Sequence, residues 1–282
     1  MTAYLRPSTL DEALAARRDH PDYRVLAGGT DLLVAGHRAP APPGILDLFG
    51  LEPLRGISRA PDGGLRLGAL TTYLDVLECE VVRDELPMLA AAAREIGAHQ
   101  IQARGTLGGN LVTSSPVGDT LPVWLALDAE IELRSTRGSR RVPYREFCTG
   151  YRQTVLEGDE LVTAVVVSEL EPGTRQLWRK VGTRRAQSIS KLMIAATARV
   201  QDGRIASPRV GLGAVADRPI RGLAVEEAIS GAAPSEETAE RAKRALGDSI
   251  EPIDDVRSKA TYRLRVAQNL VARFVLSLAD PR

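Results

Sequence analysis

The chain has 282 residues, 44% hydrophobic and 26% charged, which gives it the length for two or three core units and the composition of an ordered protein. Lys and Arg number 37 against 36 Asp and Glu, without a basic run or aromatic-basic interleaving, which excludes an electrostatic nucleic-acid footprint. The opening MTAYLRPSTLDEAL lacks a signal-peptide apolar core, and no stretch reaches the roughly 18 apolar residues of a membrane span, so a soluble cytoplasmic chain is expected.

In chain order, Thr9 followed by Glu12 and Leu14 predicts a capping box and a short helix ending before Pro21. Residues 24–27 alternate like a strand and run into Gly28 and Gly29, with order resuming over 32–34, and APAPPG at 39–44 reads as a loop. LRLGAL predicts a strand, Thr72 a helix start, and LPMLAAAAREIG a helix stopping near Gly97. A helical turn at 121–127 then precedes the strands EIELRS and LVTAVVV, and residues 171–173 suit a boundary.

Beyond that boundary LWRKV, SKLMIAATARV and ASPRVGLGAV read as antiparallel strands, the last two joined by a tight turn at Asp202 and Gly203. Helices finish the chain. Ala260, Leu264, Ala267, Val271, Phe274 and Leu278 recur every three or four positions, which places them on one apolar helix face. The fold class read from this order is α+β.

Cys79 and Cys148 are the only cysteines and read as core residues; two thiolates cannot bind a four-cysteine zinc or iron-sulfur site. His20, His37 and His99 stand without neighbours at ligand spacing, so no metal site is expected in this chain.

Two glycine-rich segments remain, VLAGGTDLL at 25–33 and GTLGGNLVTSSPVGD at 105–119. Paired glycines have no Cβ and reach positive φ, so backbone N–H groups can converge on an anion such as a diphosphate. Thr30, Thr106, Asn110 and Ser114 add neutral donors, and Asp119 can accept from sugar or ribityl hydroxyls. Plain turns are the alternative, since the chain has 25 glycines. Neither segment matches a Walker loop or GxGxxG; the near match Gly211, Gly213, Ala216 leads to a proline and reads as an ordinary strand.

Together the two segments resemble the flavin loops of the FAD-binding subunits of xanthine dehydrogenase and carbon monoxide dehydrogenase, in order and spacing. AGGTDLL and IGAHQIQARGTLGGNLVTSSPVGDTLP carry the likeness; FCTGYRQTVLEGDEL, KVGTRRAQSIS and DVRSKATYR extend it over nearly the whole chain. The resemblance implies a two-lobed FAD-binding domain of the molybdopterin dehydrogenase and vanillyl-alcohol oxidase type, with lobes at 1–55 and 56–172. A C-terminal α+β domain with antiparallel sheet would follow at 173–282. It implies that Val25, Leu26, Ala27, Gly28, Gly29, Thr30, Asp31 and Leu32, with Thr106, Leu107, Gly108, Gly109 and Asn110, wrap the diphosphate and ribityl. Ser114 and Asp119 belong to the same set, and Ile96, Leu161 and Lys180 fall where the family also touches flavin. For those last three the rival readings are plain core, for Ile96 and Leu161, and a solvated strand lysine, for Lys180.

Two departures matter. The chain has too few cysteines for the inserted iron-sulfur cluster of the related benzoyl-CoA reductase subunit, and Thr30 and Asp31 stand where a covalent flavin would need histidine, so non-covalent FAD is expected. The implied function is an oxidoreductase subunit passing electrons from [2Fe-2S] clusters on a small partner to an external acceptor, with molybdopterin on a large partner. The expected catalytic and metal residues within this chain are none. A self-contained FAD-dependent oxidase or dehydrogenase, and a non-catalytic assembly subunit, are the competing readings.

Overall fold

The computed structural model describes residues 2–32 and 40–280. The order expected at residues 33 and 34, His37 and the start of the 39–44 loop lie outside the described residues.

Three larger sheets organise the chain. The first is built from Ala3–Leu5 (β1), Arg24–Leu26 (β2) and Gly44–Asp47 (β3), all parallel and ordered β1-β3-β2. The helix Leu10–Asp19 covers it and buries Ala13 and Leu14. Thr9 caps this helix as expected, accepting from the Glu12 N–H (3.2 Å), but Glu12 reaches back one residue further, to the N–H and hydroxyl of Ser8 (both 2.8 Å).

The second sheet comprises Ile57–Arg59 (β4), Leu65–Gly68 (β5), Glu130–Ser135 (β6), Gly138–Pro143 (β7) and Leu161–Val167 (β10), with the small hairpin of Cys148–Gly150 (β8) and Gln153–Thr154 (β9) in between. It is antiparallel, ordered β4-β5-β10-β6-β7. Every residue of β10 is buried, as befits a β-branched central strand, while β6 alternates buried and half-buried positions. Cys148 is buried, and Cys79 is half-buried against the same core.

The helix Tyr73–Glu78 opens with a complete capping box: Thr72 Oγ1 accepts from the Asp75 N–H (3.1 Å) and Asp75 accepts from the Thr72 N–H (2.7 Å). Thr72→Ala should therefore lower the free energy of unfolding by about 1 kcal/mol, read as a fall in denaturant midpoint at unchanged m value. An unchanged midpoint would mean that this cap contributes nothing.

The third sheet consists of Arg175–Val181 (β11), Leu192–Gln201 (β12), Arg204–Gly213 (β13) and Ile220–Arg221 (β14), antiparallel and in chain order. Asp202 (φ 50°) and Gly203 (φ 72°) make the expected turn, with the positive φ at both positions that a twisted two-residue hairpin requires. One face packs on the helices Leu223–Ile229 and Ala260–Ser277, including Ala267, Val271 and Phe274, and the helix Glu236–Gly247 packs on those two. The other meets the helix Leu121–Ala126, where a Cβ at Gly211 would stand 2.1 Å from the Pro122 carbonyl oxygen. Close strand-to-helix packing therefore explains that glycine, and the segment is the strand expected.

The last helix also buries Arg263, which its apolar periodicity does not announce. Its guanidinium donates to the carbonyls of Lys191 (2.7 Å) and Ala214 (3.0 Å) and to Asp255 Oδ1 (2.6 Å), tying the start of β12 to the end of β13. Among the described residues no helix is long and apolar enough to cross a membrane.

Candidate cofactor site

A cavity of about 600 Å³ opens where the loop after β2 meets the glycine-rich segment of the second lobe. The two backbones approach so closely that a Cβ at Gly28 would lie 1.7 Å from the Arg104 carbonyl oxygen. The next residue, Gly29, has φ 77°, a conformation that side chains rarely adopt. Phe49 locks the approach: the Arg104 guanidinium lies 3.7 Å and that of Arg55 4.5 Å from its ring centroid. Among the described residues, the N–H groups of Gly28, Gly29 and Thr30 enter no backbone hydrogen bond outside the regular elements. This is a set of donors open to an anion.

The second segment behaves differently from the expected loop. Thr106 caps a helix, Leu107–Thr113, by accepting from the Gly109 N–H (3.1 Å). The Leu107 N–H donates to Thr71 O (3.0 Å) and the Gly108 N–H to Ala69 O (2.8 Å). These amides are engaged inside the protein, and Gly108 is small because a Cβ would stand 2.8 Å from the Ala69 Cβ. Of the two segments expected to present amides, the second thus has its Leu107, Gly108 and Gly109 N–H groups bonded within the chain.

Of the residues singled out from the sequence, Val25, Ala27, Gly28, Gly29, Thr30, Asp31 and Leu32 line the cavity, as do Ile96, Thr106, Gly108, Gly109, Asn110, Asp119 and Leu161. Leu26, Leu107, Ser114 and Lys180 do not. Leu107 is a fully buried core residue, and Ser114, at φ 45° after the helix, turns its hydroxyl onto Cys148 Sγ (3.1 Å). Lys180 is neither solvated nor on the cavity wall: its Nζ donates to Asp119 Oδ2 (2.7 Å), and its side chain is 2% exposed.

Asp119 is the polar hub of the wall. Ser190 Oγ donates to its other oxygen (2.7 Å), and Trp178 Nε1 to its backbone carbonyl (3.2 Å). Burial raises the Asp119 pKa, while the Lys180 charge and the bonds from Lys180 and Ser190 oppose the rise. Both carboxylate oxygens are held, so the group has a fixed direction and spare lone pairs for a hydroxyl donor.

Sequence reasoning missed Arg17, Arg24, Tyr73, Val112, Val117 and Arg152, which also line the cavity. Arg17 and Arg24 look like ordinary surface charges in the sequence, and nothing local marks the others. Arg17 donates to Tyr23 O (3.0 Å), and burial lowers the pKa of its guanidinium. Arg152 lies 3.6 Å from Asp31 across the cavity. Three cationic side chains lining the same cavity as the Gly28, Gly29 and Thr30 residues suit a diphosphate, and the apolar stretches beside Ile96 and Leu161 suit a flat ring system. Among the described residues no three His, Cys, Asp or Glu side chains are grouped to hold a metal.

These features define a protein that grips an extended, anionic cofactor between two lobes. Residues 1–168 match the family described as FAD binding domain in molybdopterin dehydrogenase, and residues 179–278 the CO dehydrogenase flavoprotein C-terminal domain. The xanthine dehydrogenase FAD-binding subunit of Escherichia coli O157:H7 is 32% identical over 97% of this chain and 94% of its own. The carbon monoxide dehydrogenase medium chain of Hydrogenophaga pseudoflava is 29% identical over 96% and 94%. A solved carbon monoxide dehydrogenase from the same organism, lacking the Mo-pyranopterin moiety of its molybdenum cofactor, superposes with a TM-score of 0.92 at 30% identity, covering 96% of this chain and 95% of that one.

The chain therefore belongs to the FAD-binding medium subunits of the molybdenum hydroxylase family, and it is an oxidoreductase subunit whose cofactor is FAD. The residues present fit that group, through the close approach at Gly28, the free amides after it and the oriented Asp119.

Proposed function

We propose that this chain receives electrons from [2Fe-2S] clusters of a small partner subunit and passes them to an external acceptor. Substrate hydroxylation takes place on a large molybdopterin subunit, in a heteromeric cytoplasmic complex. The observation that supports this most is the amide cradle lining the cavity at the contact of two lobes, in a chain that family likeness covers almost end to end. FAD, when bound, supplies the step between one-electron and two-electron carriers.

The chain's own part is to bind, orient and shield. Amides of Gly28, Gly29 and Thr30, aided by Arg17 and Arg24, hold the diphosphate; Asp119 accepts from a sugar or ribityl hydroxyl; Ile96 and Leu161 exclude water beside the ring. Thr106, Gly108, Gly109 and Asn110 form the opposite wall. Leu26, Leu107, Ser114 and Lys180 act from behind it, and the working units are 1–55, 56–172 and 173–282. Binding is non-covalent, because Thr30 and Asp31 offer no imidazole for attachment.

The test is to purify the chain with its partners, add the substrate of the molybdenum subunit without oxygen, and follow flavin bleaching. Bleaching should require all three chains, and acid denaturation should release free FAD. Turnover by the isolated chain at the rate of the complex would replace the relay with a self-contained flavoenzyme.

A further inference from the structure

The segment DVRSKATYR, at 255–263, begins and ends on an ion pair, in which Arg263 Nη2 donates to Asp255 Oδ1 (2.6 Å). Neither residue lines the cofactor cavity. Burying a guanidinium is costly unless it is paired and bonded, so the 3% exposed Arg263 is to be understood from what it holds.

Both carbonyls held by Arg263 lead to the same stretch of the cavity wall. One is Lys191 O (2.7 Å); the residue before it, Ser190, is fully buried and donates to Asp119 Oδ1 (2.7 Å). The other is Ala214 O (3.0 Å), and the Ala214 N–H donates in turn to Pro116 O (2.9 Å). Ser115, Val117, Gly118 and Asp119 line the cavity, so the two arms close on the two ends of one short wall segment. The second arm runs through a conformation that does not hold itself. Ala214 stands at φ 64°, where a side chain is disfavoured, and such a residue persists only when its surroundings fix it. Arg263 fixes its carbonyl and Pro116 its N–H.

We infer that Arg263 is a positioning residue for the cofactor site: from the last helix it sets where the 115–119 segment stands, and with it the direction of the Asp119 carboxylate. This rests on FAD occupying the cavity, and it adds a residue that touches neither the cavity nor the cofactor.

The test compares Arg263→Lys, Asp255→Asn and Phe274→Leu in the full chain. Lysine keeps the charge and loses the fork that reaches two carbonyls and a carboxylate. Asparagine removes the charge facing Arg263 but keeps an oxygen for the Arg257 and Ser258 N–H groups (both 2.9 Å). Phe274, buried about 16 Å further along the same helix, is the control for general destabilisation. Amide hydrogen exchange over residues 114–121 is followed by mass spectrometry on the FAD-free protein, and FAD affinity by fluorescence quenching. Arg263→Lys should speed exchange over that stretch and weaken FAD by about 2- to 10-fold, part of what one hydrogen bond to a charged group is worth. Asp255→Asn should act in the same direction by less, and it decides the matter if Arg263→Lys does not fold. Phe274→Leu should lower the thermal midpoint and leave both readouts as in wild type.

Unchanged exchange or unchanged affinity in the pair variants would overturn the role. So would a loss of affinity in Phe274→Leu as large as that in Arg263→Lys at an equal fall in midpoint. Failure of the wild-type chain to take up FAD would overturn the cofactor reading itself, and this role with it.

Discussion

Replacing Gly28 by alanine should cost the protein its FAD. The new Cβ would stand 1.7 Å from the Arg104 carbonyl oxygen and 2.5 Å from its carbon, and both are backbone atoms that cannot rotate away. The loop and the second lobe must part, which draws the free amides off the diphosphate position. Overpacking costs about 1–3 kcal/mol, so FAD affinity should fall by up to roughly 100-fold even before lost contacts are counted. Gly158→Ala is the control: its Cβ would meet only Pro21 Cβ at an ordinary 3.6 Å, and FAD binding should be unchanged. Equilibrium titration decides the matter, and affinity within about threefold of wild type in Gly28→Ala would remove the close approach from the account of the site.

The second large effect belongs to Lys180. Lys180→Met leaves a carboxylate in a mostly buried position with only Ser190 to bond its side chain, and breaking a buried pair in this way costs about 3–5 kcal/mol. The deficit should depend on pH. In the variant the opposition to burial weakens, so the folded-state pKa of Asp119 rises further above its unfolded value. The folded state then binds more protons than the unfolded one over that window, and stability declines as pH rises through it. Urea unfolding should thus find the gap to wild type widest near neutrality and narrower in mild acid. Asp119→Asn with Lys180→Met should recover part of the loss, since no uncompensated charge remains; a double variant as weak as the single one would refute the pairing.

Legibility followed the range of the forces involved. The Thr9 and Thr72 caps, the Asp202-Gly203 hairpin and the β-branched run of β10 are decided by neighbours within a few positions, and the sequence shows them. β1 and β3 are three and four residues long and pair in parallel across about forty positions, so no local pattern betrays them. β7 is mostly exposed and lacks the alternation that marks a strand. Leu107–Thr113 contains two adjacent glycines, poor helix formers, and reads as a loop. Its helical state comes from the Thr106 cap and from a fit against Ala69 that only the folded lobe provides.

The site divides in the same way. Gly28 and Gly29 read in the sequence either as a place of close approach or as a plain turn, and the folded chain shows the close approach. The partner in that approach, the Arg104 carbonyl, cannot be read, since any residue has one. Arg17 reads as one more charge on an amphipathic helix, and Tyr73 as one more buried aromatic. Lys180 is reached through resemblance, yet its side chain serves Asp119 and not the cavity directly.

The arrangement around Asp119 also sets a timetable. The glycine loop and the first two sheets are complete by residue 167, but the two side chains that hold the carboxylate are made later, at positions 180 and 190. A ribosome-bound chain that has extruded only its first two sheets would carry the Asp119 carboxylate without either side chain that fixes its direction. Domains emerge N-terminal first during synthesis, so the carboxylate gains its fixed direction only when β11 and the residues just before β12 have docked. An exchange of the C-terminal third between relatives keeps both bonds to Asp119 only if the lysine and serine travel with it.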